Sequence, residues 1–251
     1  MTWAQRMTLA VGNYVFRYRN AMFPIIFVLL ALWGAPRMLF GNPTVDQWLM
    51  RCGVVIALLG ETVRLSTIGF QYIERGGKNR RIYASFLANR GMYALTRNPM
   101  YLGNILIALG MTMVAGSPIA YTIVLPFFLF VYHAIVVAEE AYLRGQFGEA
   151  YARYCADVPR WGLSLRRMRD AFAGMTYDWR RSVRKELSTI TGLLTGLILL
   201  PVWRTYFLQG FAAAKAQAPT AACLMLLVLA AFAYLSHLKK QRRLFYLPAE
   251  L

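Results

Sequence analysis

Apolar residues along this chain gather into long runs, and short basic stretches separate them. A helix needs about 20 mostly apolar residues to cross the hydrocarbon core of a bilayer, within a range of roughly 17–25. Six runs fit that range: residues 21–40, 52–73, 100–117, 118–138, 188–208 and 218–236. The second is interrupted by Glu61 and Arg64, the fifth contains Pro201, and the sixth holds no charge. The pair Ser117-Pro118 marks a turn between the third and fourth. Any one run, the second and fifth above all, also suits a buried helix of a soluble protein. Six together would need a polar shell that this sequence does not contain. The pattern predicts an all-α, polytopic transmembrane protein with about six transmembrane helices. Arg17 and Arg19 precede the first run, but no small-residue cleavage site follows, so we expect no cleaved leader.

Composition narrows the class. Of the 251 residues, 58% are hydrophobic and 16% charged, with 28 basic against 11 acidic residues and a net charge of +17. Such a chain is too hydrophobic for disorder. It is also more apolar and less charged than an ordinary soluble domain. A nucleic-acid binder with a large core and a membrane protein with a basic face both remain. The placement of the basic residues separates them. If the six runs alternate across a membrane, 23 basic residues fall in segments on one side and 4 (Arg37, Arg51, Arg204, Lys215) on the other. That is the positive-inside pattern. It predicts an integral membrane protein with cytosolic N- and C-termini, in a bacterial inner membrane or the endoplasmic reticulum. Nucleic-acid binding requires no such sorting, and we expect none.

Two stripes suggest cytosolic amphipathic helices. Trp3, Met7, Val11, Tyr14 and Tyr18 form one; Leu165, Met168, Phe172, Met175 and Trp179 form the other, with arginines on the remaining faces. Each suits an anionic membrane surface, or packing on the protein's own helices. Cys52, Cys155 and Cys223 are scattered and the two histidines, His133 and His237, are far apart, so we expect no metal site. Gly-rich phosphate loops and nucleophile elbows are missing from the sequence. The chain divides into four regions: 1–90 with the first two spans, 91–161 with the chemistry, a basic amphipathic helix over 162–187, and 188–251 with the last spans and a basic tail.

The polar and aromatic residues of 91–161 are the informative ones. Pro99 suits the first turn of the third helix, and Asn98 before it suits the N-cap. A helix N-terminus attracts anions, and Arg97 adds a charge able to hold a carboxylate bidentately. Arg97 and Tyr101 would equally well anchor the helix at the interface. The fourth helix ends in Glu139-Glu140, a costly pair at an apolar helix end unless hydrated or paired. A tight hairpin through Gly116-Ser117-Pro118 would bring both helix ends together, with Arg97 and Asn98 near Glu139 and Glu140. His133, two turns deeper than Glu140, either lines this pocket or sits in a core. Phe147, Tyr151, Tyr154 and Val158 share a helical face, which is either packing or a lid over the hairpin mouth able to stack on a flat ring.

These residues carry a resemblance. Arg97-Asn98-Pro99-Met100-Tyr101-x-Gly103, followed by Glu139-Glu140, Leu143, Phe147-Gly148, Tyr151, Tyr154 and Val158-Pro159-Arg160, resembles the integral-membrane methyltransferases, both isoprenylcysteine carboxyl methyltransferases and phospholipid N-methyltransferases. The resemblance covers about 70 residues. It implies S-adenosylmethionine bound at the cytosolic face, with cofactor contacts at Tyr93, Arg97, Asn98, Pro99, Tyr101, Leu102, Gly103, Glu139 and Glu140. It implies Glu139, Glu140 and Arg97 as catalytic residues. His133, Tyr151, Tyr154 and Arg160 are the candidates for a lipid or other membrane-partitioned acceptor. Carboxyl methyltransferases usually have His where Asn98 stands, which puts that subtype in doubt more than cofactor use. An amine acceptor would need a base, and either glutamate could serve; a carboxylate acceptor would not. Two other readings stay open: a sterol-reductase-like membrane oxidoreductase using NADPH, and a non-catalytic membrane scaffold in which Glu61 and Arg64 form a local pair.

Overall fold

The computed structural model describes residue 3 and residues 6–18, 34–39, 41–71 and 82–244. The expected first span at 21–40 therefore lies largely outside the described residues, as do Arg19, Arg75, Lys78, Arg80 and Arg81 of the basic set. Its described part, 34–39, is not helical.

Helix α1 occupies residues 6–18. Helix α2, Pro43–Phe70, starts nine residues before the expected run because Asn42 caps it. The Asn42 side chain accepts hydrogen bonds from the backbone N–H of Thr44 (2.9 Å) and Val45 (3.3 Å), and Pro43 fills the first turn. The short α3, Met92–Leu95, leads into α4, Pro99–Ala115. Gly116 closes α4 in the left-handed region (φ 62°, ψ 27°), which glycine adopts without strain. A π-helical turn, Ala120–Val124, then opens α5, Leu125–Asp157. Helix α6 is Trp179–Gln209 and α7 is Phe211–Lys240.

Four helical segments are long and apolar enough to cross a membrane: α2, the stretch Ala120–Asp157, α6 and α7. The 17 residues of α4 are apolar but fewer. At 1.5 Å per residue α4 is about 26 Å long, short of a core of roughly 30 Å. The fold is thus all-helical and membrane-embedded among the described residues, with four segments of spanning length where six runs were expected.

Small residues set the central packing. Helices α2 and α4 run antiparallel, with Gly53 against Gly110 and Gly60 against Gly103. A Cβ at Gly60 would lie 2.7 Å from the Gly103 carbonyl oxygen, so the backbones meet without intervening side chains. Helix α6 covers α2 and α4, and α7 packs on α6 with most of its apolar side chains outward. Gly12 of α1 lies against Ala134 and Ala138 of α5, while Val15 and Phe16 join Phe128, Val131, Tyr132 and Ile135 in a buried cluster. The first stripe therefore belongs to a helix running alongside α5. Trp3, Met7, Tyr14 and Tyr18 remain exposed on its other side.

The second stripe is a correction. Residues 162–187 form no single amphipathic helix. They make a 3₁₀ turn at Leu165–Arg167, further turns through residue 174, an irregular link, and then the first turns of α6. Gly174 adopts φ 66°, and Asp178 caps α6 by accepting from the Arg181 N–H at 2.8 Å. Phe172 packs inward on Met92, Ala94 and Leu95 and lies 4.7 Å from the Phe70 ring. These contacts hold the segment against the bundle instead of letting it continue as one helix.

Candidate functional site

The N-terminus of α4 is held from behind and clasped from the front. Buried Met92, Ala94 and Leu95 anchor the turn that presents Tyr93 and Arg97. Ser164 N–H donates to the Leu95 carbonyl at 2.8 Å and Gly91 N–H to that of Ala171 at 2.8 Å. Helix α5 runs through Glu139 and Glu140 and bends at Gly148, whose φ of 49° and ψ of −121° break the helical geometry. The bend turns the last part of α5 back over α3 and the start of α4. Tyr154 Oη donates to the Tyr93 carbonyl at 2.8 Å, and Arg97 N–H to the Pro159 carbonyl at 2.9 Å.

At the centre lies Glu140, 5% exposed. Arg160 donates to both its oxygens, Nε to Oε1 at 3.0 Å and a terminal nitrogen to Oε2 at 2.6 Å. Arg97 lies 3.2 Å from Oε1 and also donates to Cys155 Sγ at 3.0 Å. One carboxylate between two guanidiniums leaves this cluster with a charge of +1. The hydrogen bond to Glu140 raises the Arg160 guanidinium further above its ordinary range. Arg97 Nε is buried with no hydrogen-bond partner among the described residues, an arrangement that costs free energy unless a ligand fills it.

Glu139 sits one position back on a half-buried face. The Tyr101 hydroxyl donates to it at 2.5 Å. Burial, and secondarily the Glu139 charge, push the nearby Tyr93 phenol above its usual range. The two carboxylates thus have different surroundings: Glu140 meets arginines, Glu139 meets phenols.

Arg97 and Asn98 come to the end of α5 that carries Glu139 and Glu140, as the hairpin implied; Tyr101 joins them on Glu139, and Arg160, a candidate for binding the acceptor, is held on Glu140 instead. Several details differ. Asn98 occupies the N-cap position, but its side chain makes no cap bond; its Nδ2 donates to the Arg160 carbonyl at 3.2 Å. The early N–H groups of α4 therefore lack a side-chain cap. Pro99 is in the first turn as expected, and Leu102 N–H donates to the Asn98 carbonyl at 2.9 Å. Gly103 turns toward Gly60 and Arg64 of α2, so it is a packing position. Tyr151 and Tyr154 do lie over the hairpin mouth, but as buried packing with Val158. His133 is exposed, away from the cluster. It shares the periodic face of Glu140, which is buried, but is itself exposed. Cys155 and the fully buried Thr96 were missed; neither spacing nor residue type flagged them. Among the described residues, no group of three or more His, Cys, Asp or Glu side chains could hold a metal ion.

Behind the site lies a second ionic cluster. Arg64 of α2 pairs with Glu186 of α6, its Nε–Oε2 distance being 3.1 Å. It also reaches Glu61 at 3.4 Å, Asn104 of α4, and Thr189 at 3.3 Å. Glu186 is fully buried. The local Glu61–Arg64 pair expected from the sequence is thus part of a three-helix junction.

Comparison with known proteins accords with this geometry. The phospholipid methyltransferase family model matches residues 49–150. Over 161 residues the chain is 31% identical to the cobalt-zinc-cadmium resistance protein CzcN of Cupriavidus metallidurans, covering 61% of this chain and 67% of that protein. It is 32% identical over 109 residues to the protein-S-isoprenylcysteine O-methyltransferase of Schizosaccharomyces pombe, covering 40% of this chain and 44% of that enzyme. An uncharacterized Haemophilus influenzae protein matches at 39% over 62 residues, covering 25% of this chain and 98% of that protein. No solved structure matches significantly. With its hairpin of apolar helices and the Arg97–Glu140–Arg160 cluster at their joined ends, the chain belongs to the integral-membrane methyltransferase family.

Proposed function

We propose that this protein transfers a methyl group from S-adenosylmethionine to a lipid or other membrane-partitioned acceptor at the cytosolic face. The observation that carries the reading is the positively charged Arg97–Glu140–Arg160 cluster at an uncapped helix start, with Arg97 Nε buried and unpartnered. An anionic group fits there: the α-carboxylate of the cofactor would meet Arg97 and the positive N-terminal end of α4. Glu139, with Tyr93 and Tyr101, would face the cofactor's cationic portion. When bound, S-adenosylmethionine supplies a methyl group on a sulfonium, a direct electrophile.

The protein's own share is positioning and exclusion of water. The segment folded back at Gly148 covers the site, and Tyr151 and Tyr154 fill the space beneath it. The acceptor is a phospholipid amine or an isoprenylcysteine-type carboxylate. An amine must be neutral to attack, and its proton needs a destination. Glu140 spends both oxygens on arginines, so Glu139 is the proton acceptor in this reading.

Titration of the purified chain in detergent with S-adenosylmethionine and separately with NADPH tests the cofactor. Saturable binding of the first alone is expected; binding of NADPH alone refutes the proposal, and binding of neither favours a scaffold. Labelled methyl donor with total membrane lipid then tests the acceptor. With an amine acceptor, Glu139→Gln should lower turnover by about 100-fold or more while changing cofactor affinity little. Equal losses in both would remove Glu139 from the role of base.

A further inference from the structure

At the opposite end of the bundle lies a cavity of about 330 Å³ between the start of α2, the end of α6 and the start of α7. Its centre is an ion pair between Asp46 and Arg204, both buried. Arg204 is fixed in place: it donates to the Val114 carbonyl at 3.2 Å, close to the end of α4, beneath Gly116. Asp46 uses Oδ2 for this pair. Its Oδ1 is buried and has no hydrogen-bond partner among the described residues, although Asp46 lines the cavity. A carboxylate oxygen in that position calls for a donor.

The second lining cation, Arg51, is exposed and lies over the Trp48 ring at 5.4 Å. Asp46, Arg204 and Arg51 together carry +1, so a lone ammonium is disfavoured. A lone anion would satisfy Arg51 but leave Asp46 Oδ1 without its donor. A ligand bearing both an ammonium and an acid group satisfies both ends. Met38, Met50 and Leu208 supply apolar wall, and the neutral polar side chains of Gln47, Thr205, Gln209 and Gln217 line the remainder. Around this end Trp48, Tyr206, Phe207 and Phe211 are exposed, the signature of a membrane–water interface.

We propose that this cavity binds a zwitterionic amine–phosphate group, ammonium on Asp46 Oδ1 and phosphate on Arg51. The chemistry is that of an ethanolamine phospholipid headgroup or of the free phosphoethanolamine zwitterion. The site is separate from the Glu140 cluster and does not depend on the catalytic reading.

The test uses the full chain in detergent, delipidated, with lipid retention followed by native mass spectrometry and by melting temperature. Probes are dioleoyl-phosphatidylethanolamine, its choline and glycerol counterparts, and soluble phosphoethanolamine. The ethanolamine lipid should bind about tenfold tighter than the choline lipid, which has no N–H to donate, and tighter than the glycerol lipid, which has no cation. Arg51→Gln, which leaves the Asp46–Arg204 pair intact, should weaken retention of all three lipids by about tenfold, because each carries the phosphate, while keeping the order among them and the S-adenosylmethionine affinity. Asp46→Asn, if folded, should erase the preference for the ethanolamine lipid; if it does not fold, the order of the three lipids in the parent and their weakened retention in Arg51→Gln decide. Competition by soluble phosphoethanolamine at equal concentration would assign the site to the free zwitterion. Equal retention of all three lipids by the parent, or undiminished retention in Arg51→Gln, overturns the proposal.

Discussion

Two clusters of guanidinium and carboxylate lie within one helical bundle and are built in opposite senses. At the hairpin mouth one carboxylate, Glu140, is held by two arginines, and Arg160 remains 38% exposed. Between α2, α4 and α6 one arginine, Arg64, is held by two carboxylates, and both Arg64 and Glu186 are closed from solvent. The open cluster carries spare positive charge and an unpartnered donor. The closed one joins α2 and α4, whose backbones are already in contact, to α6. Burying charge is costly in either place. At the mouth a ligand can offset that cost, whereas at the junction only protein groups can. The difference assigns ligand recognition to the first and helix registration to the second.

The largest effect should come from breaking the closed cluster. Arg64→Met leaves Glu186 buried without its main partner, a loss of about 3–5 kcal/mol. In a thermal melt of detergent-solubilised protein, the variant should unfold far below the parent or fail to accumulate. The double variant Arg64→Met/Glu186→Leu, which removes two of the three buried charges and leaves Glu61, should recover part of the loss. Any methyl transfer by the single variant should fall only with its folded fraction. A normal melting curve with lost cofactor binding would reverse the assignment of the two clusters.

The open cluster should answer in the other way. Glu140→Gln keeps the shape but places an amide N–H₂ among arginine donors, so Arg97 and Arg160 lose their common anchor. S-adenosylmethionine affinity should fall by about 10- to 100-fold, matching the loss of one or two charge-assisted hydrogen bonds, with a smaller change in melting temperature than for Arg64→Met. Arg160→Gln should cost less, because its side chain is partly solvated and Arg97 remains on Glu140. Isothermal titration of the folded variants measures both. Arg160→Gln exceeding Glu140→Gln would show that Arg160, and not the shared carboxylate, organises the mouth.

The two clusters also differ in how far they could be read in advance. Arg97, Glu139 and Glu140 fall within one helical hairpin, and Gly116-Ser117-Pro118 specifies a tight turn, so local rules bring them together. Pro159 and the aromatic spacing after Glu140 predict a covering segment, although the bend at Gly148 that folds it back left no clear signal. Glu186 and Arg64 are 122 residues apart and belong to different apolar runs. Their pairing depends on how α6 docks, which no periodicity encodes. The start of α6 was misplaced for a related reason: residues 179–187 read as a basic surface stripe, while Ser182 and Glu186 in fact turn inward. His133 shares the helical phase of Glu140, but phase alone does not decide burial, which depends on what covers that face.

The smallest expected effect concerns Tyr93, at the edge of the open cluster. Its phenol is pushed upward by burial and then by Glu139, whereas a tyrosine in an unfolded chain titrates near pH 10. The folded state therefore holds this proton more tightly than the unfolded state does. The resulting stabilisation is complete below about pH 10 and is lost as pH rises beyond it. Tyr93→Phe removes this single titration while keeping the main-chain carbonyl that accepts from Tyr154 Oη. Melting temperatures measured from pH 8 to 11 should fall less steeply above pH 10 in the variant than in the parent, because every other tyrosine is common to both. Parallel curves would mean that the Tyr93 phenol shares its environment with water, and that the mouth beside Glu139 is more open than the contacts of Tyr101 and Tyr154 imply.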